Sequence, residues 1–291
     1  MLIPRFNYHK PSTLKEACEI KGELKDKSML LSGGTDLIVN MKGGVISPEN
    51  IISLNGIEEL KLHSVDGRNG QTHIGACGTV SSLIKEKFLL PYSALVTGMD
   101  SLGSPIIRNL ATIGGNIVNA RPAADIPPSL IAFNGKATLC SRSDKRVVSM
   151  DEFFLSPGKT ILNNDEILSE IILDNPSTYS GSAYIKLGTR KALEISIVNV
   201  AVFISLEKPN GPITGARIVM GAVGPVPMRA STAEDMLIGE RPSEALFAEA
   251  GKAASGDAGP IDDFRGSAEY RRDMITVLTE RALKKALDEI K

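Results

Sequence analysis

The sequence of 291 residues contains no tryptophan, and aromatic residues make up only 4% of it. Proteins that bind single-stranded nucleic acid stack its bases on aromatic side chains, so this composition argues against that role. The 33 basic and 34 acidic residues are interspersed and leave a formal net charge of -1. Because no basic patch is evident, nucleic acid is not expected as a partner.

Cysteine and histidine are also scarce, with three residues of each. Cys18, Cys77 and Cys140 show no CxxC spacing, which excludes a self-contained four-cysteine iron–sulfur cluster. The histidines show no HExxH or comparable ligand spacing, so no bound metal is expected. An odd number of scattered cysteines is typical of proteins in the reducing cytoplasm, where we expect this chain to work.

Long hydrophobic runs are missing as well. No apolar stretch reaches the roughly 18 residues that a transmembrane helix needs, so no membrane span is expected. The first residues lack the apolar core of a secretory signal peptide. Both observations favour a cytoplasmic location.

Familiar catalytic and nucleotide-binding motifs are absent from the sequence. It contains no GxGxxG, no GxxxxGK[ST] and no GxSxG. Cys77 follows His73 by four residues, but the apolar neighbours favour a small buried thiol and a structural imidazole over a nucleophile and its base. No catalytic residue is therefore predicted in this chain.

Two glycine pairs are the most informative positive feature. One lies in residues 29–37 (MLLSGGTDL) and the other in residues 110–117 (LATIGGNI), and each pair is predicted to end an apolar β-strand. Glycine permits positive φ and leaves no Cβ between the peptide N–H groups and a ligand. Two or three such N–H groups form an anion site. A lone Gly-Gly favours a tight turn, whereas this matched couple fits two structural turns and a pyrophosphate site about equally.

Two charged residues stand in apolar surroundings. Asp125 has a carboxylate suited to accepting hydrogen bonds from the hydroxyls of a ribityl or ribose chain. Capping the helix predicted after Pro127 explains Asp125 equally well. Lys186 lies in a predicted strand and could reach a phosphate or a flavin carbonyl. Considered alone, Lys186 is better explained as an exposed strand lysine.

The pattern of elements predicts an α+β protein. A helix opens within residues 11–16, where Thr13 and Glu16 have capping-box spacing. Short helices are predicted over 80–88 and 92–99. Further helices are predicted after Pro127 and from Ser231 onward. The predicted strands cover residues 29–31, 51–54, 72–76, 137–140, 147–150, 167–173, 183–187, 198–206 and 216–223, with a hairpin signal at 209–211.

Residues 30–37, 112–116 and 125, in this order and spacing, resemble the FAD-binding medium subunit of the molybdenum hydroxylases. These are the relatives of xanthine dehydrogenase and carbon monoxide dehydrogenase. The resemblance extends over nearly the whole chain. It includes the opening at residues 4–14 (PRFNYHKPSTL), residues 103–109 (GSPIIRN) and residues 269–274 (EYRRDM) near the C-terminus.

The resemblance implies an FAD-binding fold of the PCMH/vanillyl-alcohol-oxidase type. Residues 1–176 would form the FAD-binding domain, with α+β subdomains of about 1–55 and 56–176. Residues 177–291 would form a C-terminal α+β domain like that of the carbon monoxide dehydrogenase flavoprotein, and the boundary coincides with a change in composition near 175–177. Residues 190–195 would lie near the isoalloxazine. The residues assigned to FAD are Leu30, Ser32, Gly33, Gly34, Thr35, Asp36, Leu37, Leu102, Thr112, Ile113, Gly114, Gly115, Asn116, Asp125, Leu168 and Lys186.

The resemblance also implies a function within a heterotrimer. Substrate would be oxidised at a molybdenum cofactor on a large subunit, and electrons would cross 2Fe-2S clusters on a small subunit to this FAD. The flavin would pass them to NAD or another acceptor. One alternative is a self-contained FAD reductase resembling UDP-N-acetylenolpyruvoylglucosamine reductase, although no motif for its substrate arginines or proton donor is found. A non-catalytic nucleotide-binding module is a third hypothesis.

Overall fold

The computed structural model describes residues 3–66, 69–190 and 193–290. The strands are β1 (Asn7–His9), β2 (Ser28–Leu31), β3 (Asn50–Ser53), β4 (His63–Asp66), β5 (Gln71–Gly75), β6 (Lys136–Cys140), β7 (Lys145–Ser149), β8 (Phe154–Ser156), β9 (Lys159–Thr160), β10 (Ile167–Asp174), β11 (Ser180–Leu187), β12 (Val198–Leu206), β13 (Ile213–Gly221) and β14 (Met228–Arg229). The helices are α1 (Leu14–Leu24), α2 (Leu37–Lys42), α3 (Val80–Leu83), α4 (Ser93–Asp100), α5 (Pro105–Arg108), α6 (Ile113–Val118), α7 (Pro127–Ala132), α8 (Met150–Phe153), α9 (Ser231–Leu237), α10 (Glu244–Asp257) and α11 (Ala268–Asp288). The architecture is α+β, as predicted.

The N-terminal part is a parallel sheet in the order β1-β3-β2. Helix α1 connects β1 to β2 and begins where predicted, because the Thr13 hydroxyl accepts the N–H of Glu16. The Glu16 carboxylate accepts the N–H of Ser12 rather than that of Thr13, so the capping box is displaced by one residue. Strand β2 ends at the first glycine turn, and α2 starts directly after that turn.

A second sheet has the order β4-β5-β10-β6-β7, and its strand pairs are antiparallel. The strands predicted over 72–76, 137–140 and 167–173 correspond to its central strands β5, β6 and β10, to within one residue at each end. The helix predicted over 80–88 is shorter in the structure: α3 ends at Leu83 and only a 3-10 turn follows at Lys87–Leu89. Helices α4, α6 and α7 pack with this sheet in one large apolar core.

The second glycine pair is not at the end of a strand, so that prediction was wrong. Gly114 and Gly115 lie inside the first turns of α6. The Thr112 hydroxyl caps this helix by accepting the N–H of Gly115 at 3.1 Å. The apolar run before the pair begins at Leu110, after α5 has ended, and forms a turn with one isolated bridge from Thr112 to Thr79.

The C-terminal part has an antiparallel sheet in the order β11-β12-β13-β14, followed by α9, α10 and α11. The hairpin predicted at residues 209–211 joins β12 to β13, and Asn210 there has φ 59°, a value that asparagine tolerates. Alternate residues of this sheet face opposite sides. Ala183 and Val200 pack on the C-terminal helices. Tyr184 and Ala201 belong instead to the large core of the preceding part.

No helix among the described residues is long and apolar enough to cross a membrane. Cys18, Cys77 and Cys140 are unpaired and buried within one small apolar cluster between α1, β3 and the second sheet. Burial raises the pKa of Cys18 to about 12 and also raises the pKa of Cys77, so both remain neutral thiols. The interpretation of Cys77 as a small buried hydrophobe agrees with this geometry.

Candidate functional site

The first glycine turn carries a set of free backbone donors. Within the part of the chain that the structure describes, none of the N–H groups of residues 32–36 donates a hydrogen bond. Gly34 has φ +72°, and residues 32–35 are half-buried rather than fully exposed to water. Half-buried N–H groups without acceptors are costly unless a ligand or water pairs with them. The turn is therefore suited to binding an anion.

The two glycine turns touch each other, although they are far apart in the sequence. A Cβ at Gly33 would collide with the carbonyl oxygen of Leu110, so only glycine allows this approach. The hydroxyls of Ser32 and Thr112 lie 3.0 Å apart, and the Ser32 hydroxyl also donates to the Cys77 sulfur at 3.4 Å. The hydroxyls of Ser32 and Thr112 thus join the turns, while the backbone of the first turn is left for a ligand.

The second turn uses its N–H groups differently from the first. Those of Ile113 and Gly114 donate to backbone carbonyls just beyond β5, at 3.1 and 2.9 Å. Those of Gly115 and Asn116 donate to Thr112, at 3.1 and 3.0 Å. The second turn therefore does not offer these N–H groups to a ligand, in contrast to the expectation that both turns would. The one side-chain oxygen of this turn without a partner among the described residues is Oδ1 of Asn116, which is shielded from solvent.

Asp125 lies at the junction between the two parts of the chain and is buried. Its Oδ1 accepts the hydroxyls of Tyr184 at 2.7 Å and Ser196 at 2.9 Å, and its Oδ2 accepts the ammonium of Lys186 at 2.8 Å. Helix α7 has Ile126 at its N-cap position without a side-chain cap, so the alternative that Asp125 caps this helix is wrong.

A carboxylate offers about four acceptor directions, two on each oxygen. The two hydroxyl donors occupy those of Oδ1 on Asp125, whereas Oδ2 has Lys186 as its one donor among the described residues and so keeps one acceptor direction. Burial, and then the Asp125 charge, raise the pKa of Tyr184 well above its ordinary value. Tyr184 is therefore a neutral hydroxyl donor throughout the physiological pH range.

Lys186 is not an exposed strand lysine, which corrects the simpler interpretation of that residue. Its side chain is only 12% exposed. Besides Asp125, its ammonium donates to the carbonyls of Ser101 at 3.2 Å and Glu194 at 2.8 Å. Three acceptors match the three N–H bonds of an ammonium group. Lys186 thus joins the turn that contains Leu102 to the segment after β11.

That segment includes residues 190–195, which the resemblance places near an isoalloxazine. Residues 191 and 192 lie outside the described residues, so only its ends can be described. Arg190 pairs with Glu194 at 2.8 Å, and the N–H of Leu193 donates to the carbonyl of Gly103 at 3.0 Å. The exposed side chains of Leu193 and Ile195 leave an apolar surface at this place.

The remaining candidate residues are three leucines near the turns and two polar residues of the first turn. Leu30 is in β2 and Leu37 begins α2, on either side of the first turn. Leu168 is buried in β10 next to Ser169, whose carbonyl accepts the N–H of Ala76 at 3.0 Å. Because Ala76 in turn accepts the N–H of Gly114, Leu168 lies near the second turn. Thr35 and Asp36 make no side-chain hydrogen bond with other described residues.

Sequence reasoning missed Tyr184 and Ser196, which hold Asp125. Tyr184 could have been found, because it lies two positions before Lys186 in a strand and therefore on the same face. Nothing in the sequence pattern identifies Ser196. His73, in contrast, pairs with Glu170 at 3.2 Å in the second sheet, which agrees with a structural imidazole.

No group of three or more His, Cys, Asp or Glu side chains within residues 3–66, 69–190 and 193–290 is arranged to hold a metal ion. The candidate site therefore consists of backbone donors, one unpartnered amide oxygen and a buried ion pair. Free N–H groups suit a pyrophosphate, and the acceptor oxygens suit the hydroxyls of a sugar or ribityl chain.

Comparison with known proteins identifies the family of this chain. Residues 4–176 match the family model for the FAD binding domain in molybdopterin dehydrogenase, and residues 183–286 match the carbon monoxide dehydrogenase flavoprotein C-terminal domain. The chain is 33% identical to the glyceraldehyde dehydrogenase medium chain of Sulfolobus acidocaldarius, over 98% of this chain and 99% of that one. It is 28% identical to the xanthine dehydrogenase FAD-binding subunit of Escherichia coli O157:H7, over 97% and 96% of the two chains.

A solved structure of carbon monoxide dehydrogenase from Hydrogenophaga pseudoflava superposes on the whole chain. The TM-score is 0.94 at 30% identity, with 100% of each chain covered. The fold and site therefore define a flavoprotein subunit with an FAD-binding domain. The chain belongs to the family of FAD-binding medium subunits of the molybdenum hydroxylases, which are oxidoreductases. The comparisons do not favour a self-contained reductase.

Proposed function

We propose that this chain holds one FAD with the pyrophosphate on the free N–H groups of residues 32–36. The observation that carries this proposal is the row of backbone N–H donors without acceptors among the described residues, of which those in 32–35 belong to half-buried residues. Two negatively charged phosphates would satisfy donors that otherwise remain unpaired. Thr112 and Gly115 would form the opposite wall of the phosphate site by steric contact rather than by N–H donation.

The other assigned residues would orient the rest of the cofactor. The unpartnered oxygen of Asn116 and the open direction on Oδ2 of Asp125 are acceptors for cofactor hydroxyls. Lys186 would hold Asp125 and the turn with Leu102 in place. Leu168 would pack close to the second turn. The domain division that we propose is 1–176 for FAD, in subdomains of about 1–55 and 56–176, and 177–291 for the C-terminal domain.

Electrons would reach this FAD from 2Fe-2S clusters on a small subunit and originate at a molybdenum cofactor on a large subunit. Bound FAD supplies the redox chemistry, and the protein supplies position and environment. Two relatives are named as medium chains, and a medium chain implies one larger and one smaller companion. We propose NAD, or another soluble acceptor, as the final recipient. The unpaired buried thiols fit a reducing cytoplasm.

The proposal is tested by purifying the native complex through a tag on this chain. Large and small companion chains should co-purify, and the small one should contain iron and acid-labile sulfide. Glyceraldehyde, xanthine and carbon monoxide, chosen from the names of the relatives, serve as first substrates. A compound that is a substrate should reduce the flavin of the complex under anaerobic conditions, which is seen as bleaching of its absorbance.

The isolated chain provides the matched comparison. NADH should reduce its flavin, and a dye should reoxidise it, but no organic substrate should be turned over. A lone chain with full substrate turnover would show that the self-contained reductase is correct. A complex whose flavin NADH does not reduce would exclude NAD as the acceptor and leave the subunit assignment intact.

A further inference from the structure

Among the described residues, the side chains that donate hydrogen bonds to Asp125 all belong to the proposed C-terminal domain. Tyr184 and Lys186 come from β11, and Ser196 comes from the segment before β12. Because all three donors lie outside residues 1–176, the direction of this carboxylate is determined across the domain junction. The ion pair between Asp125 and Lys186 involves Oδ2, so it does not require the two hydroxyl donors on Oδ1.

We propose that Tyr184 and Ser196 are positioning residues for the flavin, which orient Asp125 so that Oδ2 presents one open acceptor direction to a cofactor hydroxyl. This inference rests on the proposed function. By filling both acceptor directions of Oδ1, the two hydroxyls prevent the carboxylate from rotating and sharing Lys186 between its oxygens. A ligand hydroxyl then meets an acceptor that is already oriented, which lowers the entropic cost of binding.

The two hydroxyls are themselves rigidly placed. Tyr184 pairs with Ala201 in the β11–β12 register and is 2% exposed. Ser196 is fully buried, and the N–H of its neighbour Ile197 donates to the carbonyl of Leu187 at 2.9 Å. Both hydroxyls donate to Oδ1 of Asp125, so we expect each to act on the cofactor through the orientation of that carboxylate.

The test uses Tyr184→Phe and Ser196→Ala in the full-length chain. Bound FAD is removed, and the dissociation constant of FAD and the Tm of the apoprotein are measured by titration and thermal unfolding. Each variant should raise the dissociation constant about tenfold, the effect of one hydrogen bond to a charged group. Ser196→Thr keeps the hydroxyl and should restore binding to within about twofold of the original.

Tyr92→Phe is the matched control. Tyr92 is also a buried phenol, and its hydroxyl lies within hydrogen-bond distance of Thr72 at 2.9 Å and of Asn175 at 3.0 Å, away from Asp125. It should lower the Tm while leaving the FAD dissociation constant unchanged.

Lower Tm values with an unchanged dissociation constant in Tyr184→Phe and Ser196→Ala would overturn the inference, because the hydroxyls would then serve only as a domain contact. If Tyr184→Phe does not fold, Ser196→Ala and Ser196→Thr test the inference instead: a dissociation constant for FAD that is unchanged in Ser196→Ala overturns it. Failure of the original chain to bind FAD would overturn the proposed function itself, and this inference with it.

Discussion

Backbone N–H groups, rather than side chains, give the first glycine turn its capacity for anions. The hydroxyl of Ser32 is already hydrogen-bonded to Thr112 and Cys77, so it shapes the turn and is not a free donor for an anion. The second turn differs because its N–H groups donate hydrogen bonds to Thr112 and to carbonyls of the chain just after β5. At this scale the site is asymmetric, with donors on one side and the Asn116 oxygen on the other.

Asn116→Asp should weaken FAD binding at least about tenfold, or ~1.4 kcal/mol. The substitution keeps the shape of the side chain but adds a negative charge beside the proposed pyrophosphate site. Fluorescence titration of the apoprotein with FAD measures the effect. Asn210→Asp makes the same charge change in the exposed β12–β13 hairpin and should leave affinity unchanged. Equal affinity for FAD in both variants would show that Asn116 is not part of the FAD site.

Asp125→Asn should reduce both stability and FAD affinity. An amide has one acceptor oxygen. If that oxygen accepts the hydroxyls of Tyr184 and Ser196, the NH₂ group faces the ammonium of Lys186, and two hydrogen-bond donors then oppose each other. We expect a loss of about 3–5 kcal/mol, the range for leaving a buried charge without its partner. Chemical denaturation of the apoprotein measures it. Unchanged apoprotein stability would contradict the buried ion pair.

At the scale of elements, glycine serves packing as much as ligand access. Gly114 donates to the chain just beyond β5, and a Cβ there would approach the Ala76 carbonyl oxygen to 2.7 Å. Gly33 meets the chain before α6 in the same way. These glycines allow β2, β5 and α6 to converge, and the proposed anion site lies where they meet.

Gly33→Ala and Gly114→Ala should therefore each destabilise the apoprotein by about 1–3 kcal/mol or more, the cost of overpacking. Thermal unfolding without FAD measures this directly. Gly256→Ala, inside α10 with no atom near the added Cβ, is the control and should stabilise by about 0.5–1 kcal/mol. Apoproteins with the original Tm would show that the two glycines serve only the ligand.

The Arg146–Glu166 pair should make the second sheet sensitive to acid. Arg146 in β7 donates to both carboxylate oxygens of Glu166, just before β10, at 2.6 and 2.8 Å. These hydrogen bonds lower the pKa of Glu166 in the folded chain. Its stabilisation is complete above the unfolded pKa and is lost as the pH falls below about 5.

Glu166→Gln should lower the free energy of unfolding at pH 7 by about 2 kcal/mol, the value for hydrogen bonds to a charged group. It should also flatten the fall in stability between about pH 5 and pH 3. Urea denaturation across this pH range gives both numbers. A variant that keeps the full acid sensitivity would show that other carboxylates cause it.

Local patterns predicted most elements, and the failures have local causes. Strand β2 and helix α1 follow from an apolar run and from the Thr13 cap. The strand predicted before the second glycine pair was wrong because Thr112 can cap a helix, and apolar residues beside glycine fit a short helix as well as a strand. Periodicity cannot separate these two for so short a segment.

At the scale of the whole molecule, the site is assembled from distant parts of the chain. The glycine turns could be identified by motif, but the contact between them depends on how the two sheets pack. The burial of Lys186 could not be predicted, because Asp125 lies 61 residues before it in the sequence. The partners of such a pair are fixed by tertiary structure, which local sequence does not encode.

The most direct test of the central claim is to compare FAD with FMN in titrations of the apoprotein. FMN carries the same ring and ribityl chain but lacks the pyrophosphate and the adenosine. If the free N–H groups of residues 32–36 hold the pyrophosphate, about one FAD should bind per chain, and FMN should bind at least about 100-fold more weakly, a difference of ~2.7 kcal/mol. Equal affinities for the two flavins, or no FAD binding at all, would contradict the account.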